Sequence, residues 1–291
     1  MPELPEVETV RRGLQQVTLD QTIADGEVLL ARTIAYPDSP TAFLQGLQGA
    51  AIASWQRRGK YLLAQLKYPQ TSGSQVKSAG WLGVHLRMTG QLLWLSAATP
   101  LQKHTRVRLL FGDRQELRFV DQRTFGQMWW VPPDQQPSEI ITALARLGPE
   151  PFESDFSVEY LAERLRQRRC PIKNALLDQA LIAGVGNIYA DEALFRSGIH
   201  PNTLAATLEP VQIDKLYTAV LAVLQAAIAE GGTSFSDFMN VQGINGNYGG
   251  VAWVYDRKDQ PCRVCATPIQ RIRLAGRSSH FCPQCQLAAA P

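Results

Sequence analysis

Residues 262–285 read CRVCATPIQRIRLAGRSSHFCPQC, and this stretch decides the fold of the C-terminal part of the chain. Its cysteines form two C-x-x-C pairs separated by sixteen residues, the spacing of a zinc ribbon with a four-thiolate tetrahedral site. Two disulfides would suit an exported chain, and a redox C-x-x-C pair would need a βαβ setting, so both alternatives are less favoured. We predict one structural zinc ion and no organic cofactor, with Cys262, Cys265, Cys282 and Cys285 as ligands.

The same segment is the most basic part of the chain. Residues 257–291 hold six lysines and arginines against one acid, Asp259, whereas the whole chain has a formal net charge of only +3. A small basic module on a near-neutral body favours a polyanionic partner, although a cluster of this kind can also be a solvated face.

Composition narrows the class of protein. The 291 residues are 45% hydrophobic and 19% charged, which is typical of a globular chain with two domains. No run of about 18 uncharged apolar residues is present, and the opening MPELPEVETV has neither the basic nor the apolar part of a signal peptide. We therefore expect a cytoplasmic protein without membrane association.

Between residues 22 and 131 apolar side chains alternate with period two, as at Val107, Leu109 and Phe111, which predicts an antiparallel β-sandwich or barrel. A helix with Pro5 in its first turn is predicted to precede the sandwich, and residues 68–80 are predicted to be an exposed loop.

The second part of the chain is predicted to be helical. A Pro/Gln-rich linker at 132–138 leads to it, and residues 234–252 are too polar to pack as a helix or strand. Four helices are expected in this part. Ser157 caps the first, which runs to about Arg169, and Pro171 opens the second. The third begins at Gly186–Asn187, and the fourth runs from Pro210 to Gly231–Gly232.

The turn before the third of these helices has the features of an anion site. In LIAGVGNIYADEAL, residues 181–194, Gly184 and Gly186 allow a sharp turn, and Asn187 stands where a helix N-cap belongs. Unpaired N–H groups at such a helix start suit a phosphate, but a plain turn between two helices explains the spacing equally well.

The N-terminus offers a possible nucleophile. Removal of Met1 would expose the secondary amine of Pro2, which can form an iminium with an aldehyde carbon, and Glu3 and Glu6 are close enough in sequence to move protons. The alternative is that both acids only stabilise a helix N-terminus. On pattern alone, Lys60 is typical of a solvated strand end and Met88 of a core residue. A phenylalanine at a strand end, such as Phe125, is more often a core residue, but beside Arg123 it also suits stacking on bases or insertion into a duplex.

Taken together, the motifs PELPEVET, RRGKYLL, HLRMTG and GVGNIYADEALF, followed by the four-cysteine ribbon, closely resemble the bacterial formamidopyrimidine-DNA glycosylase family along the whole chain. The resemblance implies an α+β fold: an N-terminal antiparallel β-sandwich with a flanking helix, a helix–two-turn–helix domain and a zinc-ribbon hairpin. It implies a bifunctional base-excision-repair enzyme that removes 8-oxoguanine and formamidopyrimidines from double-stranded DNA and then cleaves the abasic strand, acting as a monomer.

The resemblance also assigns roles to residues. Pro2 is the nucleophile, Glu3 its acid/base partner, Glu6 their support, and Lys60 a phosphate-binding catalytic group. The implied DNA-binding residues are His104, Arg123, Asn187 and Arg277, and the implied wedge that fills the flipped base's place is Met88, Arg123 and Phe125. The implied division is a catalytic domain at 1–131, a linker at 132–150, the helical domain at 151–232, a lesion-capping loop at 233–254 and the ribbon at 255–291.

One position departs from the family pattern: Thr124 stands where a second basic residue often follows the wedge arginine, which leaves one phosphate contact in question. The PELPE opening favours the oxidised-purine branch over the oxidised-pyrimidine, endonuclease VIII-like branch. The alternatives are therefore that pyrimidine-specific glycosylase, and a catalytically silent protein that only binds damaged DNA.

Overall fold

The computed structural model describes residues 2–69, 77–233, 241 and 246–287. Contacts divide the chain into two compact units. The first contains the described residues up to Ala145 and those from Gly231 to Asn247, and the second contains Arg146–Glu230 and the described residues from Tyr248 onward.

The described part of the first unit contains three α-helices and two sheets with short connections. Its elements are α1 (Leu4–Thr18), β1 (Ile23–Val28), β2 (Ile34–Tyr36), α2 (Pro40–Leu47), β3 (Ala51–Arg58), β4 (Tyr61–Lys67), β5 (Ser78–His85), β6 (Gly90–Ser96), β7 (Thr105–Phe111), β8 (Gln115–Asp121), β9 (Gln127–Val131) and α3 (Pro137–Ile140).

The strands form the expected sandwich. One sheet has the order β1-β7-β8-β6 and the other β2-β9-β5-β4-β3, and every pair is antiparallel except β2 with β9, which is parallel. Val107, Leu109 and Phe111 are buried while their neighbours along β7 are partly exposed, as the period-two pattern predicts. Both sheets contribute side chains to one apolar core, which stabilises the unit.

The N-terminal helix is also confirmed. Pro5 lies in the first turn of α1, and Val7, Val10 and Leu14 recur on one face and are completely buried in the sandwich core. The start of the chain is therefore held by apolar packing along the helix.

The second unit contains helices followed by the ribbon hairpin, and together with the sandwich it confirms the expected α+β class. Its elements are α4 (Val158–Arg166), α5 (Ile172–Leu177), α6 (Asn187–Ser197), α7 (Pro210–Ala229), α8 (Tyr248–Val251), β10 (Gln270–Leu274) and β11 (Arg277–Phe281). The last two strands pair antiparallel, with Leu274 opposite Arg277 across the turn.

Several details differ from the sequence predictions. The Ser157-capped helix ends at Arg166 rather than near Arg169, because the chain tightens into a turn in which the Arg168 N–H donates to the Leu165 carbonyl. Gly186 is the N-cap of α6, so Asn187 is its first helical residue and not the cap.

Two segments expected to lack regular structure contain some. Within 68–80, β5 already begins at Ser78, and residues 70–76 lie outside the described residues. Within 234–252, residues 248–251 form the single turn α8, and most of the remainder, including the core of the expected lesion-capping loop, lies outside the described residues.

Among the described helices, α7 is the one long and apolar enough to cross a membrane by length and composition. It packs against α6 and α4, and its buried face includes Ile213, Leu216 and Val220. The central helix of a folded domain meets the same criterion, so this observation is weak evidence for a membrane span.

Candidate functional site

The residues before and within the first turn of α1 form a buried polar cluster. Pro2, Glu3 and Glu6 are all buried, and the Glu3 N–H donates to Glu6 Oε2 at 2.7 Å. Glu3 at the N-cap and Glu6 at the third helical position form a capping box. Both acids therefore stabilise the start of α1, as one of the two interpretations predicted. That interpretation does not explain why Pro2 is buried beside them.

Glu6 also fixes a second segment of the same unit. Its Oε1 accepts from the Thr233 N–H at 2.8 Å and from the Thr233 hydroxyl at 3.1 Å. The preceding Gly232 has φ +82°, and a Cβ there would lie 2.9 Å from Glu6 Oε1, so a side chain is excluded at this close approach. One carboxylate therefore joins the backbone next to Pro2 to the chain that follows α7.

Lys60 is buried, with 7% of its surface exposed, so the solvated position that its strand-end pattern favours is wrong. It lies in the tight turn between β3 and β4, where Gly59 adopts φ +54°, and α1 packs against both strands. Burial, the charge of Arg87 and the charge of Lys60 together lower the pKa of His85 to about 3. His85 is therefore a neutral imidazole near the lysine at neutral pH.

Met88 and Phe125 are exposed by 37% and 53%, so the core positions that their patterns favour are wrong as well. The guanidinium of Arg123 lies over the Phe125 ring, 5.1 Å from its centroid. The β5–β6 turn that contains Met88 and the β8–β9 turn that contains the other two side chains are adjacent because β6 pairs with β8. The structure thus brings the three expected wedge residues to one end of the sandwich.

Polar contacts lock these two turns together. Thr89 Oγ1 accepts from the Arg123 N–H at 3.0 Å and donates to Asp121 Oδ1, while Asp121 Oδ2 accepts from the Gly126 N–H at 2.7 Å. The His104 carbonyl accepts from the Asp121 N–H at 2.9 Å, which places His104 beside the same turns.

Thr124, the departure from the family pattern, has a cationic neighbour. Its φ is +59°, and its hydroxyl forms a hydrogen bond with the guanidinium of Arg32. Arg32 is exposed and comes from the turn before β2, so a positive charge reaches this position from elsewhere in the sequence.

In the second unit, Asn187 begins α6 and its turn is held by a side chain. Gln179 accepts from the Gly184 N–H at 2.9 Å and donates to the Val185 carbonyl at 2.7 Å, and Gly184 needs its φ of +90° to make the turn. Asn187 Oδ1 is buried and has no hydrogen-bond partner among the described residues. This oxygen is an acceptor and would not bind a phosphate, so the feature that suits an anion is the start of α6 at Asn187, where helix N–H groups point outward.

A buried ionic network missed by the sequence analysis connects Asn187 to the ribbon. Lys173 Nζ pairs with the Asp191 carboxylate and donates to the carbonyls of Asn187 at 3.4 Å and Ser278 at 3.2 Å. Asp191 also accepts from the Ser279 hydroxyl and the His280 N–H, both at 2.9 Å. No local pattern marks these residues as partners, because the charges meet only through folding.

Arg277, the expected ribbon contact, is exposed and immediately precedes Ser278. Lys173 therefore bonds to Asn187 itself and to the residue beside Arg277. In the second unit, one buried lysine thus holds the backbone at Asn187 and the backbone next to Arg277, the two expected phosphate-binding residues.

The four ribbon cysteines form the metal centre that their spacing predicts. Their Sγ atoms all lie within 4.8 Å of one another, with 3.9 Å between Cys262 and Cys285 and 3.4 Å between Cys265 and Cys282. Zinc–sulfur bonds of about 2.3 Å in a tetrahedron require similar separations. Backbone N–H groups of Val264 and Cys285 point at the sulfurs of Cys262 and Cys282, each at 3.4 Å, which favours thiolates. The ribbon binds one structural zinc ion.

Comparisons with known proteins agree over nearly the whole chain. Residues 1–128 match the formamidopyrimidine-DNA glycosylase N-terminal domain, residues 147–239 the H2TH domain of that family, and residues 259–288 the zinc finger found in FPG and IleRS. The chain is 65% identical over 286 residues to the formamidopyrimidine-DNA glycosylase of Nostoc punctiforme, covering 98% of this chain and 96% of the relative. It is 61% identical to that of Acaryochloris marina, covering 98% and 99% of the two chains.

Solved structures give the same result. A Lactococcus lactis Fpg variant in complex with Fapy-dG-containing DNA aligns with a TM-score of 0.88 at 33% identity, covering 99% of this chain and 100% of that one. The MutM (Fpg) protein of Thermus thermophilus aligns with a TM-score of 0.84 at 37% identity, with the same coverage.

Proposed function

The chain belongs to the formamidopyrimidine-DNA glycosylase family and acts on damaged DNA, and from this we propose that it excises oxidised purines and then cleaves the abasic strand. The substrates would be 8-oxoguanine and formamidopyrimidines in double-stranded DNA. Solved relatives bound to Fapy-dG and to abasic DNA support both halves of the reaction.

The observation that carries the proposal is the burial of Pro2 and Glu3 at the anchored start of α1. With Met1 removed, the Pro2 nitrogen attacks C1′ of the damaged nucleotide while the bond from C1′ to the base breaks and the base takes up a proton. Glu3 is the acid/base group beside this centre, and opening of the sugar ring leaves an iminium that joins Pro2 to C1′. Glu6 acts as a positioning residue through its hydrogen bond to the Glu3 N–H.

The iminium explains the strand cleavage. Its positive charge acidifies the C2′ hydrogen, so loss of that proton expels the 3′ phosphate, and a second elimination expels the 5′ phosphate. Hydrolysis then releases Pro2 for another turnover. Lys60 would bind a phosphate of the damaged nucleotide, because the positive charge that helps to lower the pKa of His85 also attracts an anion.

Base extrusion requires groups that replace the lost stacking. Flipping a nucleotide costs a few kcal/mol, and an inserted apolar wedge offsets part of that cost. Met88, Phe125 and Arg123 would supply the wedge, since two exposed apolar side chains beside a guanidinium match that task. Arg32 would replace the missing cation at Thr124, and His104 would contact the backbone near the wedge.

In the second unit, Asn187 and Arg277 would hold DNA phosphates. Four cysteines fill the zinc site, so the ion supplies rigidity to the ribbon and leaves no open coordination position. We retain the five-part division made from the sequence, a monomeric state and a cytoplasmic location as parts of this proposal.

Borohydride trapping tests the mechanism and the substrate together. Borohydride reduces the iminium to a stable amine, so the enzyme becomes covalently attached to the strand that it attacks. We expect an adduct on a duplex with 8-oxoguanine opposite cytosine and none on an undamaged duplex.

The alternatives give different outcomes in the same experiment. An adduct mainly on an oxidised-pyrimidine duplex would assign the enzyme to the endonuclease VIII-like branch. Specific binding without any adduct, from protein whose mass shows that Met1 is absent, would identify a silent damage-binding protein.

A further inference from the structure

A cavity of about 570 Å³ opens on the surface of the second unit at the C-terminal end of α6. Its apolar wall consists of Phe195, Trp253 and Val264, and its cations are Arg196 and Lys215. We refer to these five residues as the α6 groove. We infer that the α6 groove binds an acidic peptide segment of a partner protein that carries an aromatic side chain.

The apolar wall is unusually exposed. The Trp253 and Phe195 rings stack with centroids 5.8 Å apart, yet 38% of Trp253 and 67% of Val264 remain exposed. Concave sites of 300–1,000 Å³ with aromatic walls commonly bind ligands, and contiguous exposed apolar surface marks interaction sites. A cavity of this size accommodates an aromatic side chain together with its neighbouring residues.

The groove is built on a fixed frame. The Glu192 carboxylate accepts from the N–H groups of Trp253, Val254 and Tyr255 at 2.8, 2.9 and 2.9 Å, which anchors the segment that presents Trp253. The opposite wall belongs to the zinc ribbon, where Val264 lies between two zinc ligands. A partner would therefore meet a pre-organised surface at little entropic cost.

Charge identifies the partner as acidic. The lining has two exposed cations and no carboxylate, and its one thiolate, Cys285, is a zinc ligand. Both cations are exposed, Arg196 in the last turn of α6 and Lys215 in the second turn of α7. Two carbonyls in the last turn of α6, those of Leu194 and Phe195, accept from the N–H groups of Gly198 and Ile199 and are therefore not free to repel an anion.

Position favours a peptide over DNA. The expected phosphate-binding residue Asn187 begins α6, whereas the groove lies at the other end of this 11-residue helix, about 15 Å away at 1.5 Å per residue. A peptide in the groove would leave the N-terminal end of α6 accessible, so partner and DNA can bind together. The site would attach the glycosylase to another protein without using its DNA-binding residues.

The test uses the full-length, zinc-loaded protein and a fluorescein-labelled ten-residue peptide with four aspartates followed by a phenylalanine. We expect binding with a Kd of about 10–100 μM by fluorescence anisotropy, weakening as salt is added. A peptide with alanine in place of phenylalanine, and one with lysines in place of the aspartates, should each bind at least about tenfold more weakly. Equal binding of the three peptides, or none, would overturn the inference.

Variants locate the site. Lys215→Glu and Trp253→Ala should each weaken binding about tenfold, whereas Arg166→Glu, an equal charge change on the exposed side of α4, should not. Equal losses for Lys215→Glu and Arg166→Glu would show a non-specific charge effect and contradict the site. Zinc content and excision should be unchanged in Lys215→Glu and Arg166→Glu, which lie outside the expected lesion-capping loop, so a failure here is separable from a failure of the proposed enzymatic function.

A last comparison separates a peptide site from a nucleic-acid site. Saturation with lesion duplex should leave the peptide affinity unchanged. Displacement of the peptide by that duplex, or by a ten-nucleotide thymidine strand, would mean that the groove binds DNA, and the inference would be wrong.

Discussion

The two units hold their functional residues by different means. In the first, Pro2 and Glu3 are fixed by a helix whose apolar face is buried in a large core shared by two sheets. In the second, the ribbon packs through a small cluster around Ile269 and Val254, and its relation to α6 depends on buried charges and four thiolates. Apolar packing is distributed over many contacts, whereas an ion pair or a metal site fails when one group is lost. The ribbon should therefore be more vulnerable than α1 to single substitutions.

The largest effect expected is that of Cys282→Ser. Structural zinc sites contribute about 10–16 kcal/mol of binding free energy, so a lost thiolate should release the metal and unfold the ribbon. We expect zinc to be absent by elemental analysis and DNA affinity to fall about 100-fold, while the sandwich stays folded. Cys170→Ser, a cysteine outside the ribbon, is the matched control and should keep its zinc. Full zinc content in Cys282→Ser would contradict the metal centre.

The corresponding test in the first unit is Pro2→Gly, which changes the reacting amine but leaves the apolar core intact. Excision should fall about 10³-fold because the secondary amine is lost, while lesion-DNA affinity and thermal stability remain near those of the parent protein. Single-turnover excision on an 8-oxoguanine duplex measures this. Unchanged turnover would eliminate Pro2 as the nucleophile.

Lys173→Met tests the buried charges. It leaves Asp191 buried without its cation, which should lower the free energy of unfolding by about 3–5 kcal/mol. DNA affinity should fall as well, because the Asn187 and Ser278 carbonyls lose their shared donor. Urea unfolding and DNA titration measure the two effects.

A double variant separates stability from positioning. Lys173→Met with Asp191→Asn should recover much of the stability, since no unpaired charge remains and the amide oxygen can still accept from Ser279 and His280, but not the DNA affinity. Recovery of both would show that the pair has no role in positioning Asn187 and Arg277.

The control for the buried pair is an exposed one. Lys258→Met, in an exposed pair with Asp259, should change the free energy of unfolding by less than about 0.5 kcal/mol.

His85 should make the stability of the first unit sensitive to acid. Burial, Arg87 and Lys60 lower its pKa to about 3 from 6.5. The native state therefore stays neutral while the unfolded chain takes up a proton below pH 6.5, so stability is full above that pH and is lost as the pH falls toward 3. Between pH 7 and pH 5 the loss should be about 2 kcal/mol. His85→Asn should flatten this slope in urea titrations at several pH values; an unchanged slope would contradict the assignment.

The smallest effect expected is at the wedge. Because Phe125 is 53% exposed, Phe125→Ala should change stability by less than about 0.5 kcal/mol while excision falls about tenfold. Leu101→Ala, at 52% exposure in the same unit, is the control and should leave excision unchanged. Equal excision in both variants would remove Phe125 from the wedge.

The sequence by itself determined the features that depend on short-range spacing. The cysteine pairs predicted the zinc ribbon, period-two alternation predicted strands such as β7, and Pro5 with its apolar repeat predicted α1. Each signal is local, because the ligands of a zinc turn and the side chains of one strand or helix face lie within a few residues of one another. The roles of Pro2, Glu3 and the DNA-binding residues came from the family resemblance, since no local pattern distinguishes a nucleophile from a helix cap.

Only the tertiary structure decided which polar groups are buried and which partners they meet. Lys60 looks solvated and is buried, whereas Met88 and Phe125 look buried and are exposed, because the packing of sheets and turns, and not the identity of one residue, sets exposure. Lys173 meets Asp191, 18 positions away, and the Ser278 carbonyl, 105 positions away. Contacts at such separations are fixed by the assembled fold, and the positions of Asn187 and Ser278 depend on them.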